Sequence, residues 1–184
     1  VRKTFWTMGR SFNSLLFLFL IGGCGYQLAG APRSSTVIGG ASGKVSVGVF
    51  DNATFEPLLE RQTTDAIKHE LLIEGWQIVN DSSLADLVVR GKVAGFELIP
   101  LSLDPFSNIL EYRVRITVSL SVEDPKEKKT LWKATAWEAT AEFVAANDAT
   151  VQRTNEDRAI REASGRLALD LVHRLSTLPP SGKP

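Results

Sequence analysis

Leu110-Glu111-Tyr112-Arg113-Val114-Arg115-Ile116-Thr117-Val118-Ser119-Leu120-Ser121-Val122 alternates without a break. Leu110, Tyr112, Val114, Ile116, Val118, Leu120 and Val122 share one parity, and Glu111, Arg113, Arg115, Thr117, Ser119 and Ser121 the other. A period of two is the signature of a β-strand with one buried face and one wet face. At about 3.3 Å per residue the run spans roughly 40 Å, so the apolar side needs a long covering layer.

The flanking segments supply the sheet. Asp124-Pro125-Lys126-Glu127-Lys128 is a turn, and residues 130–143 form the next strand, with its parity switching between Trp132 and Trp137. Upstream, residues 86–99 also switch: Val89 and Val93 share a face, whereas Phe96 and Leu98 lie on the other. A bulge at Gly91 or Gly95 restores one consistent face. Lys44 to Phe50 and Trp76 to Val79 read as shorter strands, with Asp51-Asn52-Ala53-Thr54 turning the chain between them.

The covering layer comes from two helices. Helical spacing begins near Glu56, with Pro57 in the first turn, and places Leu59, Thr63, Ala66, Ile67 and Leu71 on one stripe. Gly75 stops it. After a polar connection from Ala145 to Gln152, Ile160, Ala163, Leu167, Leu171 and Leu175 form a second stripe, with Thr154 and Asp157 as the capping pair and Pro179-Pro180 beyond the end. The predicted order is β-α-β-β-β-β-α. This is an α+β two-layer sandwich, with two helices on one face of a mixed, largely antiparallel sheet and a right-handed first crossover.

The amino-terminal region reads differently. Arg2, Lys3 and Arg10 precede the apolar run Leu15 to Ile21, then Gly22-Gly23-Cys24 follows. Seven apolar residues suit a secretory signal and fall far short of the roughly 20 that span a bilayer. Ending on Ile-Gly-Gly-Cys, the segment resembles the lipobox of bacterial lipoproteins. That resemblance implies alkylation of the Cys24 thiol by diacylglycerol, cleavage before Cys24, acylation of the new amino terminus, and so anchoring by three acyl chains, each buried methylene contributing about 0.8 kcal/mol. Cys24 is the chain's only cysteine, so no internal disulfide competes for it. Gly25, where an aspartate would resemble an inner-membrane retention signal, directs the expectation to the periplasmic face of the outer membrane.

The expected organisation is a signal peptide at residues 1–23, a Gly-, Ser- and Ala-rich tether at 24–43, a single domain at 44–178 and a short tail at 179–184. Losing the signal leaves 18 basic against 21 acidic residues, a net charge of −3. That balance opposes a nucleic-acid partner, whose footprint is usually a basic excess.

Four stretches carry a family resemblance. Cys24-Gly25-Tyr26-Gln27-Leu28-Ala29-Gly30, the run from Val47 to Pro57, and the strand segments Ala85 to Gly91 and Leu110 to Val114 are similar in order to those of the LptE family. Gln27 stands where that family often has histidine. The resemblance implies a lipoprotein subunit of the lipopolysaccharide translocon, which plugs an LptD-like β-barrel, assists its assembly and contacts lipopolysaccharide. The alternative is an outer-membrane lipoprotein adaptor of another envelope export complex, because a similar strand-helix-strand opening occurs in periplasmic adaptor domains.

Phosphates and carboxylates of such a glycolipid call for Arg and Lys. Arg113 and Arg115 project from the same polar strand face, and Lys92 and Lys133 lie on strands that can flank them; the plainer reading is a solvated sheet face. Trp132, Trp137, Phe143 and Phe96 are core aromatics or contacts for acyl chains, and their exposure decides which. His69 and His173 stand alone, no serine falls in a nucleophile elbow, and no glycine loop suits a phosphate cofactor. The expectation is no enzyme, no cofactor and no metal.

Overall fold

The protein is described by a computed structural model covering residues 43–178. The expected signal, Cys24, nearly all of the tether and the tail from residue 179 lie outside the described residues. The elements are β1 (Lys44–Val47), β2 (Asp51–Asn52), α1 (Leu59–Ile73), β3 (Gln77–Ile78), a 3-10 turn (Ser82–Leu84), β4 (Leu87–Leu103), β5 (Ile109–Asp124), β6 (Lys129–Val144) and α2 (Ala149–Ser176).

The predicted fold class holds: two helices pack on one face of an open mixed sheet ordered β3-β1-β4-β5-β6. β1 runs parallel to both β3 and β4, while β4, β5 and β6 are antiparallel. The structure adds β2, in a segment whose composition predicts a turn. Asp51 and Asn52 pair in parallel with Lys92 and Val93, so β1 and β2 together form one interrupted strand along β4. The interruption lets Phe50 leave the edge and enter the core, where it is 2% exposed.

β5 has the expected register. Val114, Ile116, Val118, Leu120 and Val122 are buried beneath the helices and Tyr112 partly so. Leu110 departs from it: its parity is right, but at the free end of the β4–β5 hairpin it is exposed. The parity switches in the neighbouring strands are bulges. Val93 faces Val118 and Gly95 faces Thr117, leaving Ala94 unpaired, so Phe96 and Leu98 join the same face as Val89. Likewise Val118 faces Trp137 and Leu120 faces Ala134, setting Thr135 and Ala136 against Ser119 alone.

Both helix starts differ from expectation. α1 begins at Leu59 because Leu58 adopts φ 63°, a left-handed conformation that cannot continue a helix back through Pro57. The carbonyl of Leu58 accepts from the N–H groups of Arg61 and Gln62. Gly75 at φ 86° ends α1 as predicted. α2 starts five residues before the proposed Thr154 cap: Asp148 accepts from the N–H of Thr150 and Val151 at 2.9 and 3.0 Å. Thr154 lies inside the helix and donates to the carbonyl of Thr150. The stripe from Ile160 to Leu175 is buried throughout.

Candidate functional site: the outer face of the sheet

Opposite the helices, β4, β5 and β6 present a polar surface whose rows are fixed by register. In an antiparallel pair, residues directly opposite share a face. Arg113 lies between Ile99 and Glu142, Arg115 between Glu97 and Thr140, and Ser121 between Arg90 and Lys133; Ser119 faces Lys92. All four candidate cations therefore emerge on this one face, but in two groups.

Arg113 and Arg115 are met by carboxylates from both neighbours. Arg113 donates to Glu142 through Nη2 and Nε at 2.6 and 3.1 Å. Arg115 donates to Glu97 at 3.0 Å, with Glu138 at 3.8 Å from its Nε. Each such half-exposed pair contributes on the order of 0.2–1 kcal/mol. Together they place three carboxylates around two guanidinium groups, so this stretch carries no excess positive charge.

Lys92 and Lys133 are exposed, and neither forms an ion pair with a described residue. Arg90 extends their group. It sits across Ser121 from Lys133, with its Nε 3.5 Å from Glu123. The sequence reading missed Arg90, whose membership depends on a strand register spanning about thirty residues. Nearby, Asp86 accepts from Lys126 Nζ at 2.7 Å and from the Lys44 N–H at 2.9 Å. The Lys126 ammonium, then that N–H, hold the Asp86 carboxyl below the usual carboxylate range, and Asp86 in turn raises Lys126.

The aromatics are absent from this face. Phe96, Trp132, Trp137 and Phe143 face Ile116, Val122, Val118 and Tyr112, on the helix side. Phe143 is 3% exposed and stacks on Tyr112 at 5.4 Å. Trp132 and Trp137 meet edge to face at 4.7 Å, with the Arg174 guanidinium 5.7 Å above Trp132. All four thus belong to the core or its rim.

His69 and His173 lie exposed on separate helices, and no cluster of three metal-ligating side chains occurs among the described residues. No helix among them is long and apolar enough to cross a membrane.

A family model described as LptE, lipopolysaccharide-assembly, matches residues 43–175. Among solved structures, the chain is similar to an uncharacterized lipoprotein B from Nitrosomonas europaea, with TM-score 0.54 and 11% identity over 80% of this chain and 90% of that one. It is also similar to the rare lipoprotein B from Shewanella oneidensis, with TM-score 0.52 and 17% identity over 73% and 94%. At these identities the likeness establishes the fold alone. No match is found among curated proteins.

Proposed function

The chain belongs to the LptE lipopolysaccharide-assembly family, and from that membership we propose that it is a non-catalytic lipoprotein subunit of the lipopolysaccharide translocon. In this reading residues 1–23 are removed as a signal peptide. Acylated Cys24 then holds the protein on the periplasmic face of the outer membrane, with residues 24–43 as tether and residues 44–178 as the single working domain. The domain assists assembly of an LptD-like β-barrel, plugs it, and contacts lipopolysaccharide in transit. The family match across nearly the whole domain carries the proposal. A compact α+β body with one polar sheet face suits the polar interior of a wide barrel.

The proposed contact for lipopolysaccharide is the outer face. Lys92 and Lys133 present positive charge without an ion-pair partner among the described residues, while Arg113 and Arg115 would exchange carboxylates for ligand phosphates. Cross-linkers placed at these four positions in cells should yield lipopolysaccharide adducts. Barrel adducts alone would make the face an assembly surface, and adducts to neither would defeat the placement. Co-purification with a large β-barrel, and loss of assembled barrel on depletion, test the subunit role. Mass spectrometry of the mature amino terminus should show triacylated Cys24, and unchanged membrane partition of Cys24→Ala would refute the anchor.

A further inference from the structure

The loop from β2 to α1 is turned inside out. Polar side chains usually face water in such a loop, but here Ala53, Phe55, Pro57 and Leu58 are exposed, Phe55 fully, while Asn52, Thr54, Glu56 and Glu60 are half-buried. The polar groups fix its shape. Asn52 Oδ1 accepts from the N–H and hydroxyl of Thr54 at 2.9 and 2.8 Å, and Thr54 Oγ1 accepts from the Glu56 N–H at 3.3 Å. Asn52 Nδ2 donates to the Glu56 carbonyl and the Glu60 carboxylate at 2.9 and 2.8 Å. Arg153 of α2 donates to the Glu56 carboxylate at 2.6 Å and pins the loop to the second helix. Leu58 adds to the exposed apolar group although its φ of 63° is one that glycine holds without strain.

The surroundings of this apolar loop are acidic. Arg153 meets three carboxylates, Glu56, Glu156 and Asp157, at 2.6, 3.5 and 3.0 Å, and the first two are largely shielded from water. Burial pushes the Glu156 carboxyl up, and the Glu56 and Asp157 charges add to that against the pull of Arg153. Residues 52–65 and 148–158 build this end of the helix layer, and among them six carboxylates stand against three guanidinium groups, with no lysine. Lys92, in register with Asp51, emerges on the opposite face of the sheet.

We propose that Phe55 and Leu58 form a preorganised peg that seats in an apolar socket rimmed by Arg or Lys on the inner wall of the β-barrel subunit. The inference rests on the subunit role proposed above. A side chain on a loop already fixed by its own hydrogen bonds loses little freedom on docking. Aromatic anchors seated in a desolvated pocket carry much of the affinity of an interface. The acidic surround selects a basic rim and speeds the encounter. The peg lies on the helix side of the sheet, so docking through it leaves the outer face of β4, β5 and β6 open to lipopolysaccharide.

The full chain co-expressed with its barrel provides the test. Phe55→Ser combined with Leu58→Gly should speed release of the barrel from the detergent-solubilised complex about tenfold or more. The same double variant, purified without the barrel, should keep or raise its thermal midpoint, because Phe55 is exposed and glycine relieves the left-handed position. p-Benzoylphenylalanine in place of Phe55 should cross-link to the barrel in cells. High salt should weaken the parent complex, since it screens the acidic surround beyond about 10 Å at 0.1 M. Release at the parent rate, a complex indifferent to salt, or adducts at position 55 to lipopolysaccharide or to nothing would overturn the docking. So would a lower midpoint in the double variant, which would make these residues part of the fold. A parent chain that brings down no barrel indicts the subunit role itself, whereas a barrel held equally well by the variant indicts only the peg.

Discussion

A Cβ added at Gly91 would lie 2.3 Å from the Phe50 ring, which rests on the strand where a side chain would otherwise stand. Phe50 is fixed from the other side as well, because its N–H donates to Thr64 Oγ1 at 3.0 Å, and that hydroxyl donates to the Glu60 carbonyl. The ring cannot yield without breaking the link between the sheet edge and α1. Gly91→Ala should therefore lower stability by about 1–3 kcal/mol, read as a shift in the urea midpoint. At Gly95 the nearest atom is 3.4 Å away, an ordinary contact, and Gly95→Ala should stay within about 0.5 kcal/mol of the parent. Asp86 offers a pH test. Its carboxyl is depressed in the folded state, so its contribution is present above the unfolded value and is lost as pH falls through the folded one. Asp86→Asn should lower the thermal midpoint at neutral pH and flatten its decline on acidification, and an unchanged profile would mean the bridge to Lys126 and Lys44 adds nothing.

Among the elements, β5 ties sequence to structure most directly. Ile116 is 0% exposed, between Phe96 and Ala139, whereas Ser119 faces outward beside Lys92. Ile116→Asp should cost at least about 3 kcal/mol by burying a carboxylate without a partner. Ser119→Asp should change stability by less than about 0.5 kcal/mol. Equal losses in chemical denaturation would contradict the register. This strand was legible because its alternation never breaks. β4 and β6 were legible only to the extent that a parity switch announces a bulge, which put Gly95 correctly beside the irregularity and left Gly91 with another role. β2 has two residues, too few to alternate, and its pairing with Lys92 and Val93 is set by the fold. The start of α1 turns on a left-handed Leu58, a conformation no leucine signals. The Thr154–Asp157 spacing imitates a cap, but Asp148 sits closer to where the chain leaves the sheet. Arg113 and Arg115 could be placed on one face from spacing alone; their carboxylate partners, 18 to 29 residues away, could not.

For the molecule as a whole, the sheet has two unequal edges. β3 closes one with two residues, and β6 leaves 16 residues at the other. The Ala145 N–H donates inward to the Leu110 carbonyl, so by alternation the backbone groups of Thr140, Glu142 and Val144 point outward. α2 covers part of this row: Arg166 donates to the Thr140 carbonyl, and Asn155 Nδ2 donates to the Val144 carbonyl at 3.0 Å. An unpaired strand edge is a template for pairing with another chain. Arg166→Ala combined with Asn155→Ala should increase concentration-dependent association, visible by analytical ultracentrifugation, and an unchanged sedimentation profile would show that the bulge and edge charges suffice.

The placement of β1 also determines how the domain bears force. A pull through the tether enters at Lys44 and runs along the strand axis, with β3 on one side and β4 on the other. Loaded in that direction, the parallel hydrogen bonds to both neighbours are sheared together instead of being unzipped one at a time, and the Lys44 N–H bond to Asp86 shares the load at the point of entry. An atomic-force pull from the amino terminus, the direction in which the proposed anchor would transmit force, should therefore meet a higher rupture force than one that peels β6 from the opposite edge.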